Sequence, residues 1–259
     1  HEEPRATAEQ TGRHRLTIKL PADSKESGVY RLRISTQRPA QAGDESRLRW
    51  QSTLTRLEQI SKKVQRETWQ QLNADFTALR ASGLDPVSEI ETAHLQAAML
   101  FDANQKTACA EVAQQGLQLA QQTGDLFRAA PLLNLLGLTA HTQGKFPEAL
   151  EHYQQALQAA RSAGNQTAEG YATMNSGAVR TQTGEVLQAI ELFQQAYNAW
   201  QAQRDEGGRL MALSNLGVAY QQIGELQLAL DCHLRSVNET PPNQRAARSE
   251  AELGAAYAY

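Results

Sequence analysis

The stretch Asn215-Leu216-Gly217-Val218-Ala219-Tyr220 decides the fold, because parts of it recur along the chain at a fixed step. Its glycine has counterparts at Gly137 and Gly177, so each step is 40 residues (177 − 137 and 217 − 177). Four further positions keep that step, and they hold a glycine, a small residue, a ring and a small residue: Gly144, Gly184, Gly224; Ala149, Ala189, Ala229; Tyr153, Phe193, His233; Ala156, Ala196, Ser236. Periods of about 20–50 residues are typical of repeat architectures, in which each unit packs against its neighbours.

Each repeated position has a packing role in a helix–turn–helix unit. The first glycine lies inside a predicted helix, where it costs about 1 kcal/mol relative to alanine, so its recurrence indicates close helix–helix approach. The second glycine suits the left-handed cap that ends this helix. The small residues of the second helix let the first helices of the same and the next repeat pack tightly, and the ring fills the gap between them. We predict a first helix over 128–143 and a second over 147–163, with Pro147 in the first turn.

This pattern resembles the consensus of the tetratricopeptide repeat (TPR). Leu216-Gly217-x-x-Tyr220, Gly224 and the small and ring positions carry the resemblance, which covers residues 128–240. The 40-residue period resembles the longer-helix subclass found in kinesin light chains and many bacterial regulators. Ala140 and Arg180 depart from the consensus tyrosine, and His233 departs from the usual ring. The resemblance implies an all-α fold, a right-handed superhelical solenoid of helical hairpins.

The repeats predict four segments. Residues 128–240 form three clear repeats, and residues 45–127 form degenerate helical repeats. Residues 241–259 hold a linker and Leu253-Gly254-x-x-Tyr257, the first helix of a truncated further repeat. Such a helix without its partner leaves an apolar face unburied, so we expect the chain to be part of a longer protein. Residues 1–44 are a polar tail and a predicted β-hairpin, either the end of a β-sandwich or a hairpin packed on the first helices.

The order of these segments also resembles the region ahead of the peptidase in bacterial TPR–CHAT proteins. Their C-terminal domain has a caspase-like cysteine peptidase fold. The resemblance rests on the predicted strand 29–34, the stretch Arg38-Pro39-Ala40 and the repeats that follow. The catalytic domain, with its His/Cys pair, is absent from these 259 residues. The resemblance implies that the repeats could be the regulatory arm of such an enzyme.

Composition and charge limit the classes of partner. The net charge of −3 argues against a nucleic-acid partner, which requires a basic face. No run of 18 apolar residues exists, so no membrane-spanning helix is predicted. Because the chain begins with His1 rather than Met, the compartment stays open, with the cytoplasm favoured.

No pattern of catalytic or metal-binding residues emerges from the sequence. Glu148 and His152 are one helical turn apart, a spacing that predicts a solvated pair rather than a metal site. Cys232 and His233 are adjacent, so their side chains point about 100° apart on a helix and cannot act as a nucleophile and its base. Cys109 and Cys232 are predicted to be small buried residues. We expect neither an enzyme nor a bound cofactor or metal.

The predicted function rests on the inner groove of the solenoid, which the first helices line. Asn175 and Asn215 lie two residues before the first glycine of their repeats, and Asn134 lies three before. A side-chain amide can donate and accept hydrogen bonds at once, and the resemblance implies that asparagines here bind a peptide. The alternative, that these amides bond only to the neighbouring helix, stays open. The candidate groove residues are Asn134, Asn175, Asn215, Arg180, His141, Thr181, Gln182, Gln221 and Gln222.

We therefore predict an interaction scaffold that binds a peptide or protein in this groove. A carboxylate clamp for an acidic C-terminus is disfavoured, because Arg128, Arg180 and Arg209 do not share one repeated position. Two alternatives remain. One is the regulatory arm of a caspase-like (CHAT) peptidase, and the other is self-association through the unpaired last helix.

Overall fold

The computed structural model describes residues 66–241, and their side chains from Gln70 onward. The predicted hairpin within 1–44, the helical segment 45–65 and the motif 253–257 lie outside the described residues. Within residues 66–241 the chain forms nine α-helices and no strand: α1 (Arg66–Ala81), α2 (Pro86–Asp102), α3 (Lys106–Thr123), α4 (Leu126–Thr142), α5 (Phe146–Ala163), α6 (Gln166–Gln182), α7 (Val186–Gln203), α8 (Glu206–Gln222) and α9 (Leu226–Glu239). None of these helices combines the length and apolarity needed to cross a bilayer.

The chain divides into two compact units, His1–Ser88 and Glu89–Tyr259. In the described part of the first unit, Leu72, Phe76 and Leu79 recur at helical spacing on α1 and are buried. The turn after α1 is held by Asp85, whose carboxylate accepts hydrogen bonds from Ser88 N at 3.2 Å and Ser88 Oγ at 2.7 Å. This cap satisfies a backbone N–H that the first turn of α2 leaves unpaired.

The helices of the second unit pair into hairpins at a constant step. We call α2, α4, α6 and α8 the A helices and α3, α5, α7 and α9 the B helices. The A helices begin at residues 86, 126, 166 and 206, and the B helices at 106, 146, 186 and 226, so both rows advance by 40 residues. The α2/α3 hairpin keeps this step even though it lacks the glycine and the ring of the later repeats.

The first helix of the first clear repeat begins two residues earlier than the sequence pattern predicts. α4 starts at Leu126 rather than at 128, because the Asp125 carboxylate accepts a hydrogen bond from Arg128 N at 3.0 Å. Asn165 and Asp205 cap α6 and α8 in the same way. The four B helices α3, α5, α7 and α9 have no side-chain cap at their first turn.

The first glycine of each clear repeat faces the ring of its own hairpin, and this contact accounts for the close helix–helix approach that the sequence predicts. A Cβ added to Gly137 would lie 2.5 Å from Tyr153 Cε1, and one added to Gly177 would lie 2.7 Å from Phe193 Cε1. The same holds for Gly217, where the distance to His233 Cε1 would be 2.5 Å. Real Cβ atoms do not approach so closely, so these glycines let the two helices of a hairpin come together.

The second glycine ends the A helices α4, α6 and α8, also as predicted. Gly144, Gly184 and Gly224 have φ angles of 75°, 85° and 81°, in the left-handed region that glycine adopts without strain. The turn that follows is short, and the B helix begins two residues later. The repeated glycine thus allows the short turn that joins the two helices of a hairpin.

Trp200 fills the core between two successive repeats. Its side chain is fully buried near the end of α7, where it packs with Leu210 and Leu213 of α8. A Cβ added to Gly170 on α6 or to Gly208 on α8 would overlap with the indole ring. The two glycines therefore make room for the largest residue in this core.

Candidate functional site

The A helices form the inner row of the second unit. The backbones of α4 and α6, and those of α6 and α8, approach closely, whereas within the described residues consecutive B helices meet through long side chains, as where Arg235 Nη2 on α9 donates to the Tyr197 hydroxyl on α7 at 2.7 Å. A stack of hairpins is shorter on the side where neighbouring helices lie closest, so the A row lies on the concave side. Every candidate groove residue lies on an A helix of this row, from Asn134 on α4 to Gln222 on α8.

Two of the three candidate asparagines meet across the row. Asn175 Nδ2 on α6 donates a hydrogen bond to Asn134 Oδ1 on α4 at 3.1 Å, and both side chains are half-buried. Their separation of 41 residues matches one repeat plus one position, so the displacement of Asn134 by one residue brings it to Asn175. This is the neighbour-helix bond that sequence analysis held as an alternative. The bond uses one of the two donor hydrogens of the Asn175 amide.

The third asparagine bonds within its own helix. Asn215 Nδ2 donates to the backbone carbonyl of Met211 at 2.9 Å, one turn earlier on α8. The side chain is half-buried. Because an amide nitrogen carries two hydrogens and the amide oxygen two lone pairs, Asn215 keeps hydrogen-bonding capacity beyond this contact.

The polar residues at the ends of the A helices have mostly local partners. The Arg180 guanidinium donates to the Glu185 carboxylate and, at 2.6 Å, to Gln188 Oε1, so its charge is already paired within its own hairpin. Thr181 Oγ1 donates to the Gly177 carbonyl at 3.0 Å. The His141 ring stands edge-on to the Phe146 ring, with centroids 6.0 Å apart.

The remaining candidates are glutamines near the ends of α6 and α8. Gln182 is exposed, whereas Gln221 and Gln222 are half-buried and have partners within the protein. Their amides lie at the same end of the row, beside the turns that begin the B helices. The structure thus separates the candidates into an amide group in the middle of the row and a polar group at its edge.

The half-buried apolar side chains of the row were not among the residues predicted from the sequence. The position that holds Asn134 on α4 holds Met174 on α6, 40 residues later. Tyr171 and Met211 likewise share one position, and Tyr171 packs edge-on against Trp200 with ring centroids 5.5 Å apart. Following each register position through all repeats, rather than searching for repeated asparagines, would have found them.

A charged cluster lies at the α2 end of the row. Arg128 donates to Glu91 Oε1 from Nε at 2.9 Å and from Nη2 at 2.7 Å, and from Nη1 to Asp125 Oδ2 at 2.9 Å. The network ties α2 to α4. One turn from Glu91, burial lowers the pKa of His94, although the Glu91 carboxylate partly offsets this effect.

The two cysteines are buried thiols, as predicted. Cys109 is fully enclosed, and its Sγ lies 3.4 Å from Thr139 Oγ1. Burial raises the pKa of the Cys109 thiol, with the hydrogen bond to Thr139 acting in the opposite direction. A thiol kept protonated in this way is a poor nucleophile.

Comparison with known protein families identifies the repeats. Sequence models described as tetratricopeptide repeat match residues 130–163 and residues 169–238. The chain therefore contains tetratricopeptide repeats over most of α4–α9. No curated protein matches the sequence.

Solved structures share the fold at low sequence identity. BtubC (BKLC) from P. vanneervenii is 20% identical with a TM-score of 0.61, over 76% of this chain and 85% of that chain. The Rap conjugation gene regulator of the plasmid pLS20, in complex with the Phr* peptide, is 13% identical with a TM-score of 0.58, over 66% of this chain and 48% of that chain. A STAND protein with a tetratricopeptide repeat sensor from Pyrococcus horikoshii is 12% identical with a TM-score of 0.67, over 82% and 32%.

Proposed function

We propose that the inner row of A helices binds an extended peptide or protein segment, without turnover. The observation that carries this proposal is the amide group of Asn134, Asn175 and Asn215 on the concave side, flanked by half-buried apolar side chains. The Rap conjugation regulator, which has the same fold, was solved in complex with the Phr* peptide. That likeness supports a peptide as the class of ligand.

The amides would recognise the backbone of the ligand. An extended chain presents N–H and C=O groups in alternation, and a side-chain amide can accept from one and donate to the other. The bond between Asn134 and Asn175 holds both amides in a fixed orientation, which lowers the entropy lost when a ligand binds. A bidentate contact of this kind does not depend on the ligand's side chains.

The apolar neighbours would supply most of the binding energy. Tyr171, Met174 and Met211 are half-buried, so each still offers apolar surface that a ligand side chain can cover. Methionine is unbranched and flexible, and it adapts to ligand side chains of different shapes. The half-buried apolar side chains beside the amides favour a ligand with uncharged, apolar side chains, and Arg180 at the edge of the row is already paired with Glu185.

The proposal is tested by removing two amides at once. A peptide is first selected from a random displayed library against the wild-type protein. Asn175→Ala combined with Asn215→Ala should weaken its binding at least about tenfold, since two hydrogen bonds of roughly 1 kcal/mol each are lost. Titration calorimetry measures the affinity, and circular dichroism should show nearly unchanged helicity and melting.

The matched control removes an amide pair from the outer surface. Gln194 Nε2 donates to Asn198 Oδ1 at 3.2 Å on the exposed side of α7, so Gln194→Ala with Asn198→Ala removes comparable groups from a B helix rather than from the row. This variant should bind the selected peptide as the wild type does. If instead the groove variant melts much earlier while each folded molecule still binds normally, the asparagines serve packing and the proposal is wrong.

A second candidate function is that of a sensor arm in a longer protein. The STAND protein of the same fold carries its tetratricopeptide repeats as a sensor, and this chain spans about a third of it. A caspase-like CHAT peptidase is the form of this proposal that the segment order favours. Reading the gene beyond the codon for Tyr259 tests it. An α/β domain with a histidine and a cysteine, each after a strand, would support it, and further repeats followed by a stop would exclude it.

A further inference from the structure

The last B helix, α9, carries a stripe of exposed leucines. Leu226, Leu230 and Leu234 are 67%, 51% and 52% exposed. They are four residues apart, so they lie on one face of the helix. The adjacent face packs inward through Ala229, Cys232 and Ser236.

In the earlier repeats, this face of the B helix is covered by the next A helix. On α7 the counterparts of Leu226 and Leu230 are Val186 and Ile190, which are half-buried against a core cluster that includes Ala219 of α8. On α5 the counterparts are Phe146 and Leu150, which pack on the cluster that contains Val179 of α6. Leu226 and Leu230 therefore occupy positions at which one repeat joins the next, whereas the counterparts of Leu234, Gln154 and Gln194, are exposed.

We propose that residues 248–259 of this same chain cover the leucine stripe of α9. Their sequence contains Leu253-Gly254-Ala255-Ala256-Tyr257, which repeats Leu216-Gly217-Val218-Ala219-Tyr220 at four of five positions. In α8 this motif supplies Leu216, Ala219 and Tyr220 to the cluster against which Val186 and Ile190 pack. The segment thus carries the residues that this face of a B helix contacts elsewhere in the protein.

The spacing of the motif supports this assignment. Gly177 and Gly217 each lie 14 residues after the end of the preceding B helix (177 − 163 and 217 − 203), and Gly254 lies 15 residues after the end of α9 (254 − 239). The step from Gly217 to Gly254 is only 37 residues because α9 has 14 residues where α5 and α7 have 18. The distance from helix end to motif, which decides whether the motif reaches the stripe, is kept to within one residue.

The leucine stripe favours a segment of the same chain over a second copy. The motif is tethered to α9 by a short linker, so its effective concentration at the stripe is on the order of millimolar. A second copy must supply the same contacts from bulk solution, where the protein is far more dilute. Leu228 provides an internal contrast, because it is 46% exposed on α9 but lies off the stripe, at a position held by Glu148 and Gln188 in earlier repeats.

Disulfide trapping on the full chain tests the proposal. Ile190 and Tyr220 line one groove, and their counterparts are Leu230 and Tyr257. In a background in which buried Cys109 and Cys232 are replaced by alanine, Leu230→Cys with Tyr257→Cys should oxidise to an intrachain disulfide. The rate should exceed that of the control, Leu228→Cys with Tyr257→Cys, at least tenfold. Gel mobility distinguishes a cross-linked monomer from a dimer.

Hydrogen exchange gives a second measurement without new thiols. Leu230→Asp should speed amide exchange in residues 248–259 at least tenfold, and Leu228→Asp should leave it unchanged. Helicity of both variants by circular dichroism shows that the repeats before α9 remain folded. Equal disulfide rates in the two cysteine pairs, or exchange in 248–259 that Leu230→Asp does not alter, would overturn the proposal. So would an interchain disulfide whose yield rises with protein concentration, which would assign the stripe to a second copy.

Discussion

At the scale of single residues, the repeats pack through complementary sizes, with a glycine against a large ring. The same residue type is not needed in every repeat. In the structure Gly137, Gly177 and Gly217 each face the ring of their own hairpin, where the sequence alone predicted only a close helix–helix approach. It did not predict the Trp200 core, since Trp200 occupies the position of Ala160 in the preceding repeat and so breaks the pattern. The packing role of a residue that occurs in only one repeat is recognised only from the contacts it makes in the structure.

We predict that Gly208→Ala destabilises the protein by about 1–3 kcal/mol, because the new methyl group overlaps with the buried Trp200 ring and forces it to shift. The neighbouring Gly207 provides the control. A Cβ there would meet only Asp205 Oδ1, at 3.5 Å, so Gly207→Ala should be neutral or stabilising by up to about 1 kcal/mol. Urea denaturation measures both. A destabilising Gly207→Ala of equal size would refute the explanation by overlap.

His94 is expected to make stability depend on pH. Burial lowers its pKa in the folded state, so near and below its ordinary value of about 6.5 the unfolded chain binds more protons than the folded one. The free energy of unfolding should therefore fall as pH decreases through that value and level off below the folded-state pKa. His94→Gln should remove this slope. Parallel pH profiles for the two proteins, measured by urea denaturation, would contradict the expectation.

At the scale of the elements, A and B helices begin in different ways. The residues before α4, α6 and α8 are Asp125, Asn165 and Asp205, and each side chain accepts a hydrogen bond from the backbone three residues later. The period predicted that the helices exist, but their first residues depended on these caps. These caps were not predicted, because the repeated glycines lie inside the helices and do not mark the turns before them.

We predict that Asp205→Ala lowers the free energy of unfolding by about 1 kcal/mol, because the N–H of Gly208 loses the carboxylate that accepts from it at 2.9 Å. The control is Lys145→Ala, at the corresponding position before a B helix. Lys145 makes no side-chain cap, and its contact with Glu148 at 3.5 Å is exposed, so little stability should be lost. Thermal melts compare the two variants, and equal losses would argue against a special role for the A-helix caps.

At the scale of the whole second unit, neighbouring repeats stabilise one another through the contacts between them. Trp200 on α7 contacts both Gly170 on α6 and Gly208 on α8, so one side chain joins two repeats. The Asn134–Asn175 bond does the same on the inner row. The Asn134–Asn175 contact could not be predicted by comparing the same position in each repeat, because the two residues lie at positions that differ by one. The sequence therefore identified the asparagines but not their partners.

We predict that Trp200→Ala loosens the repeats unevenly. The cavity should cost about 3–5 kcal/mol, and most of that loss should be felt in α6, α7 and α8, which surround the indole. Hydrogen exchange followed by mass spectrometry should show faster exchange there, with α4 and α5 close to the wild type. Tyr153→Ala is the matched change in the preceding hairpin and should shift the affected region to α4 and α5. Uniform acceleration by either variant would mean that the unit unfolds as one block.

Because the A helices contact one another directly, the length of the inner row also sets how long a ligand must be to reach along it. Neighbouring packed helices lie about 8–10 Å apart, so α4 and α8 are separated by roughly 16–20 Å across α6. An extended chain advances about 3.3 Å per residue, so roughly five or six residues are needed to reach from Asn134 to Asn215. A peptide shorter than this can use one end of the row at a time. Each additional hairpin would lengthen the required ligand by about three residues, so the number of repeats selects ligands by their span.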